Sequence, residues 1–272
     1  MKECDPMQIR GKLNEDIFSF APRTRLDGEV AIVTGAGRNI GRAIALELAR
    51  CGACVVVNVH SNIEQGEAVA AEIRAEGGES IVLPADVGDP AAIASMFASV
   101  RERLGPVQIL INNAGIRPHR ALGDVTLEEW QQVIAVGLTG PFIASQLAAV
   151  DMAATGWGRI VNISGRDGFT GLAKRIHGSV AKAGIHAMTK TLALELGPVG
   201  VAVNTIVPGY IDTVRPEEWY PELDPGARLK EIPVGRYGDP AEIAELCKYL
   251  VLQGGFVTGQ AVHINGGEFT SW

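Results

Sequence analysis

Cysteine, histidine, aromatic side chains and basic charge are all scarce in this chain. Its 272 residues hold four cysteines, five histidines and 6% aromatics, and 24 lysines and arginines stand against 31 aspartates and glutamates. A net charge of −7 with no basic cluster excludes a nucleic-acid footprint and an anionic membrane surface as partners. Cys51 and Cys54 have redox or zinc spacing, but neither a second pair nor a histidine cluster completes a site, so no metal is expected and both thiols read as packing residues. No apolar run approaches the roughly 18 residues that span a bilayer. Residues Met1–Asp27 are polar, and read as an extension rather than a signal peptide, packed on the surface or a neighbouring subunit, or loose. The expected location is the reducing cytoplasm.

What is abundant is short apolar segments, which bring the hydrophobic content to 47%. Strand-like runs are expected at Val30–Thr34, Cys54–Val59, Ser80–Pro84, Ile109–Asn112, Arg159–Ile163, Val201–Ile206 and Ala261–Ile264. Helix-like stretches fall between them at Ile40–Cys51, Glu64–Glu76, Pro90–Leu104, Leu127–Ala154, Val180–Leu196 and Ala241–Leu252. Strict alternation of the two predicts an α/β fold: a single Rossmann-type domain over 28–272, with a doubly wound parallel sheet and helices on both faces.

The first strand runs into Thr34-Gly35-Ala36-Gly37-Arg38-Asn39-Ile40-Gly41 and then a helix. Glycine lets the backbone turn sharply and approach a pyrophosphate at the helix N-terminus. This segment resembles the Thr-Gly-x-x-x-Gly-x-Gly signature of the short-chain dehydrogenase/reductase family, with Asn39 at the middle glycine. Asparagine is among the few non-glycine residues that tolerate left-handed backbone. The resemblance continues in order through Asp86-Val87, Asn112-Asn113-Ala114-Gly115, Pro208-Gly209-Tyr210-Ile211-Asp212-Thr213, Val257-Thr258-Gly259-Gln260 and Asn265-Gly266-Gly267, covering roughly residues 25 to 268. It implies a nicotinamide dinucleotide cofactor held by these segments, with Asp86 and Val87 at the adenine and Pro208, Gly209, Ile211 and Thr213 at the carboxamide.

The second strand ends in Asn58-Val59-His60-Ser61-Asn62, with no carboxylate before Glu64 to hold a ribose 2′-hydroxyl. A phosphate near His60 and Ser61 would meet no repulsion, and Arg38 can pair with it. NADP(H) is therefore favoured, with NAD(H) the alternative.

The family's Tyr-x-x-x-Lys motif reads Gly178-Ser179-Val180-Ala181-Lys182 here. Its serine, 13 residues earlier, is Gly165, and its asparagine is Gly137 in Val136-Gly137-Leu138-Thr139-Gly140. Three glycines at three catalytic positions point to an enlarged pocket or to engineering. The tyrosine would supply a proton and the serine a hydrogen bond to the substrate oxygen, together worth on the order of 10²–10⁴ in rate. Lys182 remains, and the resemblance implies that it holds the nicotinamide ribose. Candidate substitutes are His177, Ser164, Tyr210 and Tyr220. Asp167, Arg166 and Arg117 are charges able to orient a small-molecule substrate. Gly137, Gly165, Gly178, Asp167, Trp219 and Tyr220 are the expected pocket, with 214–231 as a lid.

The resulting expectation is an NADP(H)-binding oxidoreductase with a non-standard proton donor, acting on a carbonyl, alcohol or imine, and assembled as a homotetramer. A nucleotide-binding partner without turnover and a non-redox enzyme on the same scaffold are the alternatives.

Overall fold

The protein is described from a computed structural model, over residues 22–214 and 228–270. Its strands are β1 (Val30–Val33), β2 (Cys54–Val59), β3 (Glu79–Pro84), β4 (Val107–Asn112), β5 (Gly158–Ile163), β6 (Val201–Pro208) and β7 (Ala261–Ile264). The principal helices are α1 (Asn39–Arg50), α2 (Ile63–Ala75), α3 (Pro90–Arg103), α4 (Leu127–Ile134), α5 (Gly140–Thr155), α6 (Asp167–Thr170), α7 (Ile176–Leu196) and α8 (Pro240–Leu252). All seven strands pair in parallel in the order β3-β2-β1-β4-β5-β6-β7. The chain reverses its winding between β1 and β4, and that switch point opens a crevice at the carboxyl ends of the strands.

Two apolar layers cover the two faces of the sheet. One sets Ile44 and Leu48 of α1 and Cys247 and Val251 of α8 against Val33 and Val57. The other sets Phe97 of α3 and Met152 of α5 against Ile32, Leu110 and Ile160. Several helices start on side-chain caps: Asn62 accepts from Gln65 N at 3.0 Å, and Asp89 accepts from Ala91 N at 2.8 Å just before Pro90. Asp239 and Glu242 form a reciprocal capping box on α8. By contrast, α1 has no side-chain cap, which leaves its first-turn N–H groups to the crevice.

Three expectations change. The single helix Leu127–Ala154 is two helices joined by a π-type turn at Ala135–Thr139, the sort of bulge that gathers at functional sites. As one unit, Leu127–Thr155 has a window of mean hydropathy 1.8, long and apolar enough to cross a membrane by length and composition, contrary to the reading that no such run exists. In the fold 44% of that window is buried, and α5 packs on β4, β5 and α3 as a core helix. The Lys182 helix begins at Ile176, four residues earlier than the apolar pattern suggested, so 178 lies in its first turn. Most of the Met1–Asp27 extension lies outside the described residues. Its end is tied down, with Leu26 fully buried and Arg23 N bonded to Leu252 O at 2.8 Å.

Candidate active site

A cleft of about 500 Å³ lies over the carboxyl ends of β1, β2, β4, β5 and β6. Its floor is the turn after β1. Gly35 adopts φ +63°, and a Cβ there would stand 3.0 Å from Ala114 Cα. A Cβ on Gly41 would stand 2.4 Å from Gly35 O and 2.5 Å from Asn113 Nδ2, so only glycine fits where α1 leaves the sheet. Asn39 takes the left-handed conformation, φ +52°. Its amide bonds Val214 in both directions: Nδ2 donates to Val214 O at 2.9 Å, and Oδ1 accepts from Val214 N at 3.1 Å.

Side-chain hydrogen bonds join the neighbouring segments to this turn. Asn113 Nδ2 donates to Thr34 O at 2.9 Å and Gly35 O at 3.1 Å, while Thr34 Oγ1 accepts from Asn113 N and Ala114 N. Asn58 Oδ1 accepts from Gly35 N at 3.3 Å, and its amide donates to Leu83 O and Ala85 O. One buried amide thus aligns the ends of β1, β2 and β3. Arg38, Ile40, His60 and Ser61 line one end of the cleft, with Asn62 beside them. Asp86, Val87 and Gly115 line its middle; Pro208, Gly209, Ile211 and Thr213 line the far wall. Asp86 Oδ1 accepts from Gly88 N at 2.7 Å, and its carboxylate lies 3.6 Å from His60.

The geometry of the cleft fits a dinucleotide: a turn that a Cβ would fill, an uncapped helix N-terminus, and an amide-lined floor. Arg38, His60 and Ser61 all line the cleft.

At the other end the three glycines are not a void, which corrects the expectation of an enlarged pocket. Gly165 lines the cleft, but a Cβ on it would come within 2.8 Å of Asp167 Oδ1. A Cβ on Gly178 would touch the Arg175 guanidinium, at 3.4 Å from Nη2 and 3.6 Å from Nε. Asp167 Oδ2 and Arg175 Nη2 are 3.4 Å apart, and both side chains are buried, 9% and 8% exposed. Gly137 lies in the π-type turn beneath α7, where a Cβ would stand 3.1 Å from Ala181 Cβ. Gly137, Asp167 and Gly178 therefore sit behind the cleft wall rather than on it. Gly168 lets α6 rest directly on the α7 backbone at Lys182 and Ala183, which fixes Asp167 in place.

Lys182 is buried and donates from Nζ to Ile163 O at 2.8 Å. Desolvation first, then the Arg117 and Arg175 charges, push its ammonium down to about 7, with Asp167 pulling the other way. Ser164 lines the cleft and bonds His186 Nε2 at 3.1 Å. Burial and the Lys182 charge push His186 down to about 4, so that imidazole is neutral.

Two candidates fall away. His177 is fully buried and faces α4: its Nδ1 accepts from Gly178 N at 2.8 Å and its Nε2 meets Glu129 Oε1 at 3.2 Å. Both nitrogens are committed, because adjacent residues on a helix point in different directions. Tyr210 does not line the cleft. Its hydroxyl accepts from Arg166 Nη2 at 2.8 Å and donates to Glu231 Oε2 at 3.2 Å, and burial pushes it up. Arg166 is also paired with the buried Glu268, so it holds a structural network rather than a substrate. Trp219 and Tyr220, with most of the expected lid, lie outside the described residues. Arg175 is the residue that sequence reasoning missed, although it stands one helical turn before Gly178.

A parallel sheet with this strand order, a glycine turn and a cleft at its switch point, and a buried lysine tied to the last residue of β5 define a nicotinamide-dinucleotide oxidoreductase scaffold. The short chain dehydrogenase family model matches residues 29–223. A 3-oxoacyl-acyl-carrier-protein reductase of Synechocystis is 38% identical over 246 residues, 90% of this chain and 98% of its own. A Burkholderia cenocepacia short chain dehydrogenase, solved in complex with NADP, superposes with TM-score 0.82 at 33% identity, covering 90% of this chain and 99% of the other. A Sinorhizobium meliloti dehydrogenase/reductase gives TM-score 0.84 at 35% identity, covering 91% and 98%. The chain belongs to the short chain dehydrogenase family.

Proposed function

We propose that the chain is an NADP(H)-dependent oxidoreductase that interconverts a small-molecule carbonyl and its alcohol, with Lys182 rather than a tyrosine handling the proton. The observation that carries this is Lys182 itself, buried, bonded to Ile163 O at the end of β5 next to Ser164 in the chain, and with its ammonium pushed down to about 7. A group poised near the working pH is the effective acid–base catalyst. When bound, reduced nicotinamide supplies a hydride. The chain orients the ring with the Pro208–Thr213 wall and protonates the substrate oxygen from Lys182 Nζ.

An imine substrate is also open to this scaffold, but the charge here favours the carbonyl. Arg117 and Arg175 both repel the Lys182 ammonium, and a cationic iminium would meet the same field. The direct test follows NADPH oxidation with a panel of ketones and matched cyclic iminium ions. Ketones reduced faster support the reading. No turnover with either, despite tight NADPH binding, would sink it in favour of a nucleotide-binding partner.

NADPH is expected to bind at least about tenfold more tightly than NADH, since one charge-assisted hydrogen bond contributes about 1.5–3 kcal/mol. Arg38→Ala should remove most of that preference with little change for NADH. Calorimetric titration of both cofactors checks it, and equal affinities in the unmodified protein refute it.

A homotetramer is the proposed assembly. Phe142 and Val150 on α5 and Ile176, Val180 and Leu194 on α7 are 40–80% exposed and need cover. Light scattering is expected to give about four times the 28.8 kDa chain mass; a monomer at micromolar concentration would refute it.

A further inference from the structure

Two arginines line the cleft, Arg38 and Arg117, and neither guanidinium has a partner among the described residues. Arg38 belongs to the turn after β1. Arg117 follows Gly115 and Ile116 on the segment that leaves β4, and it is half-buried. It differs in this from Arg42, Arg101, Arg120, Arg166 and Arg175, each of which is held by a carboxylate. Arg117 is also the foremost charge acting on Lys182, which sets it at the reaction end of the cleft. Of the charges that act on Lys182, Arg117 and Arg175 are positive and Asp167 alone is negative. Among the described residues lining the cleft the only carboxylate is Asp86, which lies 3.6 Å from His60 and accepts from Gly88 N. A chain of net charge −7 thus keeps a local excess of cations at its reaction centre. Gathered like charges repel, and an anion relieves them.

We propose that Arg117 binds a carboxylate of the substrate, so that the compound reduced is an oxo acid and the product a hydroxy acid. This deepens the carbonyl reading above and rests on it. A guanidinium presents a planar fork that meets a carboxylate with two parallel hydrogen bonds. A phosphate dianion carries more charge and more acceptors than one guanidinium satisfies, so the carboxylate is the better match. The carboxylate changes no bond. The carbonyl carbon gains the hydride with its electron pair, the π pair moves to oxygen, and that oxygen takes its proton from Lys182 Nζ. Arg117 supplies orientation and selection. Against a neutral ketone its donors stay unmatched once the substrate has displaced water, and a site built for a polar group rejects an analogue that lacks it.

The test uses the full-length protein saturated with NADP⁺ and titrated calorimetrically with matched pairs: 2-oxobutanoate, acetoacetate and levulinate, each beside its ethyl ester. The series varies the spacing between carboxylate and carbonyl. At least one acid is expected to bind at least about tenfold more tightly than its ester, the value of one charge-assisted hydrogen bond. Arg117→Met should erase that preference while the ester and NADP⁺ affinities stay within about twofold. Arg117→Lys, which keeps the charge and loses the fork, should retain part of it, and it covers the case in which Arg117→Met fails to fold. With NADPH, Arg117→Met should raise KM for the preferred acid at least about tenfold and leave kcat within about threefold. If no acid binds more tightly than its ester, or the preference survives in Arg117→Met, the proposal is overturned. Inorganic phosphate binding more tightly than every acid would also overturn it, in favour of a phosphorylated substrate. If the preference and its loss stand but no acid is reduced, Arg117 is still the carboxylate-binding group and the oxidoreductase reading alone fails.

Discussion

Lys182→Met is expected to slow turnover by at least about a hundredfold and, at the same time, to make the protein harder to unfold. A lysine held near 7 when folded and near 10.5 when unfolded penalises the folded state at neutral pH by roughly 3–5 kcal/mol, at about 1.36 kcal/mol per unit of pKa. Losing the bond to Ile163 O returns about 1 kcal/mol of that. The sign is set by proton counting. Between pH 7 and 10.5 the unfolded chain binds the extra proton, so stability rises with pH across that window, and the penalty is complete below 7. The groups facing Nζ are Arg117, Asp167, Arg175 and His186, and the His186 imidazole, pushed down to about 4, is neutral throughout that window. The gap between Lys182→Met and the unmodified protein in denaturant midpoint should be widest at pH 7 and nearly closed by pH 10.5. Turnover should fall by about 10²–10⁴, as for loss of a general acid. In the unmodified enzyme, ketone reduction should slow as pH rises through 7 and alcohol oxidation should speed up. A Lys182→Met protein no more stable than its parent at pH 7 would mean that the lysine is not held near neutrality.

Gly41→Ala is expected to be the most damaging single methyl in the cofactor cleft. Its Cβ would overlap the Gly35 carbonyl and the Asn113 amide, groups locked by the Thr34 and Asn113 hydrogen bonds. Backbone cannot yield as a side-chain tip can, so about 1–3 kcal/mol of overpacking strain is expected. The turn that meets the pyrophosphate should move with it, and NADPH affinity should fall about a hundredfold. Gly37→Ala is the control, since its Cβ would meet only Val59 Cγ1 at 3.1 Å and the Gln65 side chain. Titrating NADPH into both variants decides the matter; equal affinities would show that close packing at Gly41 is not what shapes the site.

Much of the cofactor half of this molecule was legible in the sequence because it depends on backbone and order. Glycines, asparagines and strand ends announce themselves by spacing. Left-handed Asn39 was anticipated for that reason, although its clasp on Val214, 175 residues away, was not. The catalytic half was legible only as absences. Spacing shows that serine and tyrosine are missing at 165 and 178, but it cannot show which side chains move into the volume. Arg175 carries no signal in the sequence, and it is the early start of α7 that brings it beside Gly178. His177 misled for the converse reason: it is next to the vacancy in sequence, and the helix turns it toward Glu129.

The Asp167–Arg175 pair also closes a route backward. A serine regained at 165 meets the aspartate, and a tyrosine regained at 178 meets the arginine. Clearing Arg175 first takes the ion-pair partner from the buried Asp167, at a cost of about 3–5 kcal/mol.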